Sequence, residues 1–224
     1  MINNGISFIC EGETELVFYQ YLIDYFCTEA VNKVDDYTIN TTDIGEEYRL
    51  ISANDRHNII KMNCVSTISQ ITNSEQWINN ECFKSCPNIP WTIFLCYDTD
   101  SYLDDITQFY ENDWKVFREN ISESYENVTI VDLAASAEIE DVFLLDSVGI
   151  ACYLNADIIE IPSTGRGKSK LKSIFRKNGK IYHEGMRAEK LISSLDFKVI
   201  CDNSPIDFSS IKNAIWGEKS NLFV

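Results

Sequence analysis

Basic charge is scarce in this chain: 19 lysines and arginines face 35 aspartates and glutamates, a formal net charge of −16. That balance excludes a uniformly cationic surface. Histidine is scarcer still, with only His57 and His183. The short Cys82-x3-Cys86 pair therefore lacks the second Cys/His pair that a zinc site requires. No apolar run approaches the roughly 20 residues of a membrane-spanning helix. The first residues also lack the basic, apolar and small-residue succession of a signal peptide. A soluble, cytoplasmic chain with no membrane association is expected. Repeats, low-complexity linkers and a G-x-x-x-x-G-K-S/T phosphate loop are missing as well, which leaves one domain and no P-loop ATPase in this chain.

Cysteine, by contrast, is plentiful, at eight residues. Cys10, Cys27, Cys64, Cys96, Cys152 and Cys201 sit within apolar runs, where a thiol packs as a small hydrophobe. Buried free thiols rather than disulfides are expected. With 45% apolar and 12% aromatic residues in 224, the chain can build a core without cross-links.

The few cations are not spread evenly. Arg166, Lys168, Lys170, Lys172, Arg176, Lys177, Lys180, Arg187 and Lys190 face only Glu184 and Glu189 within residues 166–190. Nine cations against two acids make that window +7, so the remainder carries −23. Such segregation predicts a basic face on an acidic body.

Along the chain, Gly5 to Cys10 reads as a short buried strand, and 14–30 as an amphipathic helix. Residues 36–53 suggest irregular strands. Asp55 is a plausible N-cap for a long helix, interrupted near Asn73 and Ser74 and reaching Cys82. Trp91 to Tyr97 is a continuous apolar run suited to a strand buried on both faces. A helix over about 103–120, a strand over 128–133 and a helix from Glu138 to Leu145 follow. The basic window predicts helices over 168–177 and 184–194. A strand at Phe197–Cys201 and a helix near 207–215 close the series. Alternating strands and helices imply an α/β class, a mostly parallel sheet flanked by helices. The core is expected over 1–150, with residues 151–224 a basic helical C-terminal elaboration packed on the same domain.

Two of the clearest strands end in acids, Glu11 after GISFIC and Asp98 after WTIFLCY. In parallel α/β sheets, functional groups collect outside the carboxyl ends of strands. Glu15 lies one turn into the following helix, and Asp100 two residues beyond Asp98. Four converging carboxylates repel unless a cation joins them, and hard oxygen donors select Mg²⁺ or Mn²⁺. Metal-assisted phosphoryl transfer is the chemistry this set points to.

Phe8 to Glu15 (FICEGETE) resembles the strand-E-G-x-T-E signature of TOPRIM domains in the OLD and RloB-like bacterial families. Phe94 to Asp100 (FLCYDTD) resembles their strand-D-x-D element, at a gap of roughly eighty residues. Ala137 to Asp146 is similar to a third, acid-bearing segment, and Lys180 to Leu195 resembles their C-terminal region less specifically. The resemblance, which spans about the first 145 residues, implies a TOPRIM-like fold and a metal-dependent endonuclease acting on DNA or RNA, tRNA among them, in anti-phage defence. It makes Glu11 a metal ligand or general acid/base, and Glu15, Asp98 and Asp100 metal ligands. Glu140 is the choice for a further metal ligand, with Glu138 and Asp141 as alternatives. Gly165 to Ser169 is read as a basic loop contacting the nucleic-acid backbone, and Lys168 as a transition-state cation. Arg166, Lys168, Lys170, Lys172, Arg176 and Lys177 are the nucleic-acid-binding residues.

A separate ATPase subunit and a homodimer are the expected protein partners. Two other readings stand beside the nuclease. One is a non-catalytic TOPRIM-like regulatory or sensor subunit of an ATPase-containing complex. The other is an enzyme acting on small phosphates, against which the breadth of the basic window argues. Tyr97, Tyr102, Tyr110 and Trp114 would stack on bases only if exposed; core packing is their commoner fate.

Overall fold

The computed structural model describes residues 2–33, 40–43, 48–53, 56–65, 71–99, 108–135 and 137–217. Asp55, Asp100 and Tyr102 lie outside them. Six strands form one sheet in the order β2-β3-β4-β1-β5-β6. β1 (Asn4–Cys10), β4 (Arg56–Cys64), β5 (Trp91–Asp98) and β6 (Val128–Ala135) run parallel. β2 (Asn40–Asp43) and β3 (Tyr48–Ala53) add an antiparallel edge. This is the α/β class expected, a mostly parallel sheet flanked by helices.

Period-two alternation divides the side chains between two cores. Ile6, Phe8 and Cys10 of β1, with Phe94 and Cys96 of β5, face α1 (Glu13–Lys33) and the C-terminal helices. Ile9, Ile93, Leu95 and Tyr97 face α2 (Ile71–Trp77), its π-helical extension Ile78–Phe83, and α3 (Gln108–Ser124). Phe8 and Phe94 are register partners, stacked with centroids 4.9 Å apart. Gly5 opposes Trp91, and a Cβ there would lie 2.4 Å from the indole, so only glycine admits that ring.

After β6 the chain is helical. It forms α4 (Ile139–Phe143), α5 (Ser147–Leu154), α6 (Gly167–Lys177), a 3-10 turn at Gly185–Ala188, α7 (Glu189–Ile192), α8 (Phe197–Asn203) and α9 (Ser209–Trp216). The expected division at residue 150 falls inside α5, and Ile150 shares its buried cluster with Ile6 and Trp216. Among the described residues, no helix is long and apolar enough to cross a membrane.

Three expectations are corrected. The first part of the region read as a long helix after Asp55 is strand β4, residues 56–64, whereas its later part, 71–83, is helical as expected. Asn58 and Lys61, 1% and 4% exposed, disguise the strand by breaking the apolar pattern. Asn58 accepts from Asn4 Nδ2 at 2.7 Å and donates to the carbonyls of Ile51 and Ile215 at 3.3 and 3.1 Å. Lys61 donates to the Glu81 carbonyl and to Ser85 Oγ. The expected strand at Phe197–Cys201 is helix α8, because the Asp196 carboxylate accepts from the amides of Lys198 and Val199 and caps it. The helix read over 184–194 is reduced to the 3-10 turn and the single turn of α7. Gly185, at φ +66°, starts it in a conformation an α-helix does not use.

All eight cysteines are free. Cys10, Cys27 and Cys96 are buried, but Cys152 is exposed and Cys64 and Cys201 are half-buried, so burial was over-read for those three. Tyr97 and Trp114 stack in the core, centroids 4.7 Å apart, and are closed to nucleobases.

Asn58→Ala strands the carbonyls of Ile51 and Ile215 and the Asn4 amide. It is expected to lower the unfolding free energy by about 2–4 kcal/mol in urea titration. An unchanged midpoint would mean that these groups are satisfied without it.

Candidate active site

The β1–β5 register places Cys10 beside Cys96, so the acids that follow leave the sheet together. The Glu11 amide donates to the Cys96 carbonyl at 2.9 Å, and the Asp98 amide donates to Glu11 Oε2 at 3.2 Å. The chain then turns at Gly12 into α1. A Cβ on Gly12 would lie 2.8 Å from Glu15 Oε2, which puts the Glu15 carboxylate directly over that turn.

The third approach comes from β6. Ala137 is buried at φ +94°, a costly conformation for a residue with a Cβ. Its amide donates to Thr99 Oγ1 at 2.8 Å. This sharp exit brings the Ile139 amide to Asp98 Oδ1 at 2.8 Å and puts Glu140 in the first turn of α4. Glu140 is 1% exposed. Its Oε1 accepts from the Tyr182 hydroxyl at 2.9 Å, while Oε2 is buried without a hydrogen-bond partner.

Helix α6 docks by its N-terminus on α4. Glu138 Oε2 accepts from the Lys168 amide at 2.8 Å, and Asp141 Oδ2 from the Gly167 amide at 3.3 Å. A Cβ on Gly167 would lie 2.5 Å from the Asp141 backbone nitrogen, so close approach requires glycine. Glu138 and Asp141, the alternatives to Glu140, thus receive α6 and do not line the pocket.

The resulting cavity is about 390 Å³ and is lined by Glu11, Glu15, Asp98, Glu140, Lys168 and Glu184, together with Gly12, Glu13, Thr14 and Gly185. The sequence-derived residues Glu11, Glu15, Asp98, Glu140 and Lys168 therefore meet in one place. Asp100 lies outside the described residues. A second cavity, about 380 Å³ beside Phe26, Pro205 and Phe208, gathers no comparable set of acids.

Burial, followed by the charges of Glu15, Glu140 and Glu11, pushes Asp98 up to about 9. Burial, with Glu140 and Glu11, raises Glu15 to about 7. Burial raises Glu140 as well, although Lys168 and the Tyr182 hydrogen bond oppose it. Burial works against the Lys168 ammonium, but Glu140 and Glu184 more than offset it and hold the group charged above the ordinary lysine range.

The donors fit a hard divalent cation: carboxylate oxygens, one of them buried and unpartnered, with Glu15, Asp98 and Glu140 held back from ionising chiefly by burial. Among the described residues, no three such side chains already stand in the arrangement of a closed metal centre.

Tyr182 and Glu184 went unread as site residues. The only signal was the looser likeness of the Lys180–Leu195 run. The basic residues are less free than their spacing suggests. Lys168 and Lys172 pair with Glu184 at 3.3 and 2.6 Å, Lys170 with Asp141 at 3.3 Å, and Lys177 with Glu160 at 3.3 Å.

An unfolded aspartate releases its proton near 4, whereas folded Asp98 keeps it to about 9. Between those values the folded state binds more protons, so stability falls as pH rises through the window. In EDTA, Asp98→Asn is expected to melt above wild type, by little near about pH 5 and by several degrees near about pH 8.5. A margin that stays flat across this range would contradict the electrostatic reading.

No protein-family model matches the chain, and no curated protein does. Among solved structures, a futalosine hydrolase mutant of Helicobacter pylori strain 26695 is similar at 6% identity, covering 90% of this chain and 99% of that one, with a TM-score of 0.25. A likeness that weak carries no argument about activity.

Proposed function

We propose that this pocket is the active site of a Mg²⁺- or Mn²⁺-dependent nuclease that hydrolyses phosphodiester bonds of DNA or RNA. One observation carries the reading: four carboxylates from separate elements share a single cavity with a lysine held charged. When bound, a divalent cation supplies the positive charge that lets the acids ionise and that polarises a phosphodiester oxygen.

The chain's own residues do the rest. Glu11, Glu15, Asp98 and Glu140 hold the cation, and Asp100, two residues after Asp98 in the D-x-D sequence, is a further candidate. Glu11 is the candidate to move a proton to or from the attacking water. Tyr182 ties up one Glu140 oxygen and leaves the other for the cavity. Lys168 stabilises negative charge gathering on the phosphate as it passes through the transition state. Arg166, Lys170, Lys172, Arg176 and Lys177 supply the basic approach along α6. On the E-G-x-T-E and D-x-D resemblance alone, we place the activity in cytoplasmic anti-phage defence, as a homodimer or beside a separate ATPase subunit.

Among the described residues the acids do not already stand as a closed metal centre, which leaves room for a second reading, a TOPRIM-like regulatory subunit that binds without cutting. Incubating plasmid DNA, single-stranded DNA and total tRNA with Mg²⁺, Mn²⁺ or EDTA separates the two. Cation-dependent cleavage is expected, reduced at least about a hundredfold by Asp98→Asn. Millimolar cation is also expected to raise the wild-type melting temperature near about pH 8 and to leave Asp98→Asn unmoved. A folded protein that cuts none of these substrates under any of these conditions would favour the regulatory reading.

A further inference from the structure

Glu184 is the acid in this cavity that phosphodiester hydrolysis has least use for. It precedes the 3-10 turn, and its two oxygens meet Lys168 Nζ at 3.3 Å and Lys172 Nζ at 2.6 Å. The two lysines stand four residues apart on α6, so they share one helix face.

The loop that carries Glu184 is anchored at the cavity mouth. The Gly185 amide donates to Thr14 Oγ1 at 2.8 Å, and the Met186 amide to Glu13 Oε2 at 3.4 Å. Both acceptors belong to the E-G-x-T-E turn. A Cβ on Gly185 would lie 2.5 Å from Glu13 Oε2, at a backbone φ of +66° that already favours glycine. Glu184 is thus held in place by its backbone, independently of its ion pairs.

Two ammonium groups bracketing the two oxygens of a carboxylate offer the same arrangement to the two non-bridging oxygens of a phosphodiester. The side chains of Lys168, Lys172 and Glu184 are 35%, 49% and 41% exposed. Ion pairs this open to water contribute little, so one anion exchanges for another readily. The remaining pairs on α6, Lys170 with Asp141 and Lys177 with Glu160, involve acids that do not line the cavity.

We infer that Lys168 and Lys172 form a phosphate seat which Glu184 fills in the free protein, and that a backbone phosphate of a nucleic acid enters by displacing it. The inference rests on the nucleic-acid reading above and adds to it a defined seat with an internal competitor. The seat adjoins the carboxylates, so the phosphate it holds is at, or next to, the bond to be broken. Glu184 then competes with any anion for the seat, and a chain making further contacts along α6 displaces it more fully than a small anion does.

The test measures binding without chemistry: fluorescence anisotropy of labelled single-stranded DNA and RNA 12-mers, in EDTA at low salt. Glu184→Gln is expected to bind roughly two- to fivefold more tightly than wild type. That gain disappears when Lys172→Ala is added. Glu160→Gln, which removes the same charge beside Lys177, gives less. Binding by Glu184→Gln that is equal to or weaker than wild type overturns the inference, as does a gain that survives the loss of Lys172 or is matched by Glu160→Gln. Tighter binding with no cleavage under any condition would keep the seat and remove the nuclease. Cleavage by wild type without tighter binding by Glu184→Gln would do the reverse.

Discussion

Crowded carboxylates repel one another, and this fold gathers four of them at the carboxyl edge of its sheet, Glu15 and Glu140 buried and Glu11 and Asp98 half-buried. Packing alone does not ask for this, because an apolar set in the same space would be at least as stable. Each unit by which a carboxyl is raised above its unfolded value is about 1.4 kcal/mol against its charged form. The surroundings hold the acids in place nonetheless. The β1–β5 register fixes Glu11 beside the Asp98 amide, Ile139 donates to Asp98, and Tyr182 donates to Glu140. The dense layers on both faces of β1 and β5 offset this expense, with Phe8, Phe94, Phe18 and Trp114 fully enclosed.

The same constraint explains why the helical C-terminal third is built into the core. Phe18 of α1 contacts Phe143, Phe197 and Phe208, so one aromatic side chain joins the start of the chain to three later helices. Asp146 caps α5 through the Gly149 amide and accepts from the Asp196 amide at the head of α8. Thr14 receives Gly185. These contacts bring Lys168 to the cavity and the Tyr182 hydroxyl to Glu140. The third that sequence reading treats as an elaboration completes the electrostatics of the first.

The acids at strand ends were legible because a buried parallel strand is nearly all apolar, so the first carboxylate after it stands out. Glu11 and Asp98 are such positions, and the turn at Gly12 made Glu15 readable with them. β4 was hidden for the opposite reason. Asn58 and Lys61 are polar residues satisfied inside the core, and no local pattern reveals a partner 157 residues away in sequence, as Ile215 is from Asn58. Phe197 to Cys201 has strand-like composition, yet one carboxylate at Asp196 commits it to a helix. Tyr182 and Glu184 were illegible because their roles arise only when the 180s loop meets the turn after β1.

Segregated charge in the sequence turned out to be partly cancelled in space. Of the six residues read as a nucleic-acid surface, Lys168, Lys170, Lys172 and Lys177 already face acids. These pairs are not equivalent. Lys170 and Asp141, at 20% and 23% exposure, belong to the docking of α6 on α4, and a phosphate would have to undo that packing to compete. Lys172 and Lys177, at 49% and 57%, sit where water already weakens the attraction. Arg166 and Arg176 are exposed at the two ends of the helix. The surface able to meet a polyanion is therefore narrower than a +7 window implies: one side of α6, leading from Arg176 toward the cavity. On the proposed function, a chain of net charge −16 would admit nucleic acid only in that orientation, which would direct the backbone toward the carboxylates.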